Sequence, residues 1–103
     1  MKFDVTFTAV FPDSVVERSI VGYDDLAEGI SSAPYVVESA VWGADPMLVV
    51  RCGIESSGLM ALPEALRRAQ VLLSRHLREF VFGFEGRGLL WSDIVAVDVR
   101  LSE

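Results

Sequence analysis

The sequence predicts an α+β fold, with four strands in one antiparallel sheet and two helices on one of its faces. Three observations predict it. Residues 2–11 alternate apolar and polar with a period of two. Two further segments rich in β-branched and aromatic side chains, Tyr35–Trp42 and Met47–Glu55, flank the turn Gly43-Ala44-Asp45-Pro46. Between residues 62 and 80 apolar side chains recur every three to four positions, which is the period of a helix.

In the first strand Phe3, Val5, Phe7, Ala9 and Phe11 share a face, opposite Lys2, Asp4, Thr6 and Thr8. Pro12-Asp13-Ser14 breaks it. Ser14 and Glu17 then have capping-box spacing, and Val16, Ile20, Tyr23, Ala27 and Ile30 follow at helical intervals. This predicts a helix within 14–31, interrupted near Gly22, with Asp24 capping a second piece. The alternative uses the β-branched Val15, Val16, Ile20 and Val21: an extra N-terminal β-hairpin in place of the first helix.

Ser31-Ser32-Ala33-Pro34 ends this region, and the two central strands follow as a hairpin. In the second of them Leu48, Val50, Cys52 and Ile54 share a face. Ser56-Ser57-Gly58 is a break, and Pro63 suits the first turn of a long helix running to about Phe82. Leu62, Leu66, Ala69, Leu73, His76, Leu77 and Phe80 form its apolar stripe, and Arg67, Arg68, Ser74, Arg75 and Arg78 the opposite face. Gly83, Gly86 and Gly88 end that helix in a loop, with Gly83 as its cap. A last strand, Ile94–Leu101, sets Val95, Val97, Val99 and Leu101 on one side. The order strand, helix, strand, strand, helix, strand resembles the ferredoxin-like βαββαβ layout across the whole chain. No motif ties it to one family, and this layout hosts many unrelated functions.

At 103 residues the chain is expected to be a single domain, 1–103. Such a chain buries roughly 65% of its unfolded surface, enough for one core without staples. One Cys excludes an intrachain disulfide, and with one His there is no set to hold a structural zinc. The net charge of −6 and a pI near 4.7 argue against a general nucleic-acid binder. No apolar run approaches the ~20 residues of a membrane span, and Met1–Phe11 lacks the apolar block of a signal peptide, so the cytoplasm is the expected compartment. Arg outnumbers Lys eight to one, a bacterial-type composition from a GC-rich genome.

Chemistry-bearing residues are few. His76 lies in the helix stripe between Leu73 and Phe80, where a packing role is expected. Cys52 sits on a core face, so it reads as a small hydrophobe. The run Gly83-Phe84-Glu85-Gly86-Arg87-Gly88 follows a helix and opens a strand, the reverse of a phosphate loop. Asp24 and Asp25 fit a helix start rather than a catalytic pair. No catalytic residue, metal site or cofactor is expected.

Two surfaces stand out instead. Arg67, Arg68, Arg75 and Arg78 make a basic stripe in an acidic chain, suited to an acidic protein partner or to carboxylates of the same chain. If Leu48, Val50, Cys52 and Ile54 face the helices, then Met47 and Val49 face outward, and alternation places Ile94 and Ala96 beside them. One face of Tyr35–Trp42 adds either Tyr35, Val37 and Val41 or Val36, Ala40 and Trp42. An apolar open face and a mean hydropathy of +0.40 predict an interface, in the simplest case that of a homodimer. The expected function is a non-enzymatic interaction or regulatory module. The alternative is a small-ligand binder or small enzyme with Tyr35, Trp42, His76 and Trp91 around a pocket.

Overall fold

A computed structural model describes residues 1–10, 23–44, 47–76, 81–82, 87–88 and 90–102. In chain order these form strand β1 (Lys2–Val10), helix α1 (Tyr23–Ser31), strands β2 (Val36–Ala44) and β3 (Met47–Glu55), and helix α2 (Ala61–His76). Two short strands follow, β4 (Val81–Phe82) and β5 (Arg87–Gly88), and then strand β6 (Ile94–Ser102). The long strands make one four-stranded antiparallel sheet in the order β2-β3-β1-β6, while β4 and β5 pair with each other. The expected second helical piece is α1. The alternative strand Val15–Val21, the capping pair Ser14 and Glu17, and the breaker Pro12-Asp13-Ser14 lie outside the described residues.

The alternation of β1 carries into the fold as predicted. Phe3, Val5, Phe7 and Ala9 are buried, and the antiparallel register sets them opposite the buried Ile54, Cys52, Val50 and Leu48 of β3. Directly opposed residues share a face, so these eight define the inner face of the sheet. Leu26 and Ile30, four apart on α1, join the same core, as do Ala61, Ala65, Ala69, Leu72 and Leu73 of α2. Helix α1 packs chiefly over β2, and α2 over β1 and β3. Asp24 and Asp25 occupy the first turn of α1, where carboxylates complement the helix dipole. Ser39, on the inner side of β2 opposite Cys52, donates to the Ala27 carbonyl at 2.5 Å. Its one proton is thereby used, so the Ser31 hydroxyl, 2.5 Å away, is the donor in their mutual bond.

Three expectations are corrected. Helix α2 is described over Ala61–His76 and does not run to Phe82, because Val81–Phe82 is a strand paired with Arg87–Gly88; residues 77–80 lie outside the described residues. The aromatic and β-branched pair at 81–82 takes an extended backbone, in keeping with its β propensity; Gly83 and Gly86 lie outside the described residues. Second, Leu62 is half-exposed, and the buried side of α2 turns toward Ala61, Ala65 and Ala69. Three alanines at four-residue spacing form a flat seam against the sheet, where a large side chain would hold the helix off. Third, Ile94 is not on the outer face. A β-bulge between Thr8 and Ala9 shifts the register so that Ile94 pairs with Ala9 and packs against the core.

A second bulge, at Val37, decides the face of β2. It lets Val36 and Val41 both point inward, opposite Ile54 and Val50, which an unbroken alternation forbids. Ala40 and Trp42 therefore point outward. The approach to α2 turns at Gly58, whose φ of +92° is the only positive value among the described residues and favours glycine.

Candidate functional site

The outer face of the sheet divides into two halves. In the apolar half, one row runs Trp42–Val49–Thr8–Ala96 across all four strands, with Met47 and Val10 opposed in the next position. Trp42 is 45% exposed and Met47 41% exposed, Ala96 is exposed, and Val49 is half-buried. The following rows are charged: Ala40–Arg51–Thr6–Asp98, and then Glu38–Gly53–Asp4–Arg100. Here Lys2 Nζ reaches Glu38 Oε1 at 2.7 Å, passing over Gly53. A Cβ at Gly53 would stand 2.9 Å from Lys2 Cε and 3.0 Å from Glu38 Cγ, so the bridge needs the missing side chain. The Lys2 ammonium holds the Glu38 carboxyl below its usual range, and Glu38 holds Lys2 above its own.

The inner face is covered unevenly. Neither helix packs chiefly over β6, although Val97, Val99 and Leu101 are in register with the buried Phe7, Val5 and Phe3. Val99 packs on the core, but Val97 is 44% and Leu101 54% exposed, with Val95 at the bulge 61% exposed. Leu90 and Trp91 lie just before this strand and are also exposed. Trp91 sits in a single 3₁₀ turn, Trp91–Asp93, with its ring edge-on to Phe7 at 6.0 Å between centroids. The turn is held by the buried Asp93 carboxylate, which accepts from the Leu90 N–H at 3.0 Å.

The basic stripe is largely engaged within the chain. Arg67 makes a two-point bond to Glu64, through Nη2 at 2.5 Å and Nε at 3.1 Å. Arg68 Nη1 donates to the Glu55 carbonyl at 3.0 Å, its Nε lies 3.3 Å from Glu64, and its guanidinium covers the Tyr35 ring at 5.2 Å. Arg75 is exposed in the last turn of α2, and Arg78 lies outside the described residues.

The candidate pocket residues are not brought together. Tyr35 lies beneath Arg68 at the Glu55 end of the sheet, while Trp42 is on the outer face. His76 packs against α1, where a Cβ on Gly29 would touch its ring at 3.5 Å. Trp91 contacts Phe7 on the inner side. Tyr35 does line a shallow cleft of about 340 Å³ with Glu55, Ser56, Glu64 and Arg68. A second open groove, of about 470 Å³, lies between α1 and β2 around Asp24, Glu28, Ser31 and Ser39.

Chemistry finds little purchase on these groups. Burial pushes the Cys52 thiol up to about 12, so at neutral pH it is not a thiolate nucleophile. Among the described residues no three His, Cys, Asp or Glu side chains gather as a metal site, and no helix is long and apolar enough to cross a membrane. The sequence reading missed the bare strip on β6, because four alternating apolar residues read as core. The available signal was that two helices must cover four strands. No family model, curated protein or solved structure matches this chain.

Proposed function

We propose that this protein is a non-enzymatic interaction module that works as a homodimer, assembled through sheet surface its own helices leave bare. The carrying observation is the pair Val97 and Leu101, exposed on the inner side of β6, with Val95 exposed at the bulge. Apolar side chains gathered on one strand of a small protein are the usual mark of an interface. The outer row of Trp42, Val49 and Ala96, with Met47 beside it, is a second, separate apolar surface on the opposite face of the sheet. We read the underlying architecture as ferredoxin-like; support comes from the element order and from helices that share one core with the inner face. Docking of an acidic protein partner through the helix arginines would use Arg75 before Arg67 and Arg68, which already hold Glu64 and the Glu55 carbonyl.

Replacing Val97 with Glu places a charge in the bare strip. The reading predicts a fall in solution mass toward the single chain, with the far-ultraviolet circular dichroism unchanged. A Val97→Glu protein with the mass of the unaltered one counts against it.

Small-ligand binding has one observation of its own. Ser56, 4% exposed, lines the Tyr35–Arg68 cleft and its hydroxyl has no partner among the described residues. Resonances of Tyr35 and Ser56 that move with an added polar metabolite mixture would favour this second reading; unmoved resonances would sink it.

A further inference from the structure

We propose that the dimer forms by antiparallel pairing of β6 with β6 of a second copy, centred on Val99, which rests on the self-association reading above. Strand β6 is at the end of the sheet, bonded to β1 on one side, and among the described residues no strand pairs with the backbone N–H and C=O groups of its other edge. The bulge at Thr8/Ala9 ends the regular part of this edge, leaving Ala96–Ser102 as an unbroken run whose middle residue is Val99.

The charges select the register. A two-fold pairing of a strand with itself sets one residue opposite its own copy, and directly opposed residues share a face. Centring on Asp98 places two carboxylates against each other, and centring on Arg100 does the same with two guanidinium groups. Centring on Val97 sets Asp98 against Ala96 of the second copy. Only centring on Val99 places Asp98 opposite Arg100 of the second copy, and Arg100 opposite its Asp98.

Within one chain Arg100 Nε already lies 2.7 Å from Asp98 Oδ2, and both side chains are exposed. In the dimer each carboxylate would have one arginine along its strand and another across the interface, with like charges on the diagonals. On the inner face the same register sets the exposed Val97 against Leu101 of the second copy, and Val99 against Val99. One alignment therefore sets Val97 and Leu101 side by side across the seam and pairs the outer charges. The other edge strand, β2, lacks this complementarity: its outward side chains include Glu38, Ala40 and Trp42, and it carries the bulge at Val37.

The test is sedimentation of five variants beside the unaltered protein. Asp98→Arg and Arg100→Asp each turn both cross-strand pairs repulsive, and each is expected to weaken dimerisation about tenfold or more. The double exchange Asp98→Arg/Arg100→Asp restores complementarity and should restore the dimer. An equimolar mixture of the two single variants should form a mixed dimer, because one carries only positive and the other only negative charge at these positions. Val49→Glu, on the outer face, should leave the dimer intact, whereas Val97→Glu disrupts it. Single variants that associate like the unaltered protein, or a double exchange no tighter than the singles, overturn the proposed register. A dimer indifferent to positions 98 and 100 but dispersed by Val49→Glu keeps self-association and moves it to the outer face. An unaltered chain that is monomeric at every concentration overturns both.

Discussion

Cys52 is the most confined titratable side chain described, and it makes stability depend on alkaline pH. Its folded pKa of about 12 lies above the ordinary value of 9.0, so above pH 9.0 the unfolded chain releases this proton while the folded one keeps it. The stability held below that value is lost as pH rises toward 12, at up to about 1.4 kcal/mol per pH unit. Chemical denaturation across this range should show a decline that is smaller in Cys52→Ala by the same slope. Equal slopes would mean that the thiol is not confined. Gly58 makes a different kind of demand. A Cβ there meets nothing within 4 Å, so the cost of Gly58→Ala comes from its φ of +92° alone, about 1 kcal/mol. Ser56→Ala should change stability in the opposite direction, since it removes a buried hydroxyl without a partner. Urea unfolding of the two variants checks both signs. Of these three features the sequence marks one, since Cys52 reads as core; Gly58 reads only as a break, and its backbone angle and the Ser56 hydroxyl's lack of a partner among the described residues appear only once the chain is folded.

At the scale of the elements, α2 shows how pattern and packing diverge. Of the stripe read at Leu62, Leu66, Ala69 and Leu73, the last two are buried and Leu66 packs on the core, whereas Leu62 is exposed and Ala61 and Ala65 take the seam in its place. Ala65→Leu should therefore cost about 1–3 kcal/mol through overpacking, whereas Leu62→Gln should stay within about 0.5 kcal/mol. The reverse ranking in denaturant midpoints would return α2 to the orientation its leucines imply. The strands were legible where alternation is unbroken: the inner residues of β1 and β3 can be read directly from their period. They were not legible where a bulge intervenes, because an extra residue reverses the alternation without any particular side chain to announce it. That is why Ile94 belongs to the core, and why the orientation of Trp42 could not be chosen from β2 alone.

At the scale of the whole molecule, the described residues pair a well-buried centre under two helices with one strand only half covered, in a chain whose mean hydropathy is +0.40 and net charge −6. The sequence foresaw the apolar surplus and expected it on the outer face at Met47, Val49, Ile94 and Ala96. Trp42 stands there in place of Ile94, and Val97 and Leu101, with Val95 at the bulge, add exposed apolar surface on β6. In the dimer proposed above this half-covered strand is satisfied by association, and its charges at 98 and 100 match a second copy of itself. Light scattering of the unaltered protein across dilution from ~100 to ~1 μM, where micromolar association is visible, is the most direct test. The account predicts a mass of twice the 11.3 kDa chain at the upper end of that range, and a mass of one chain throughout would contradict it.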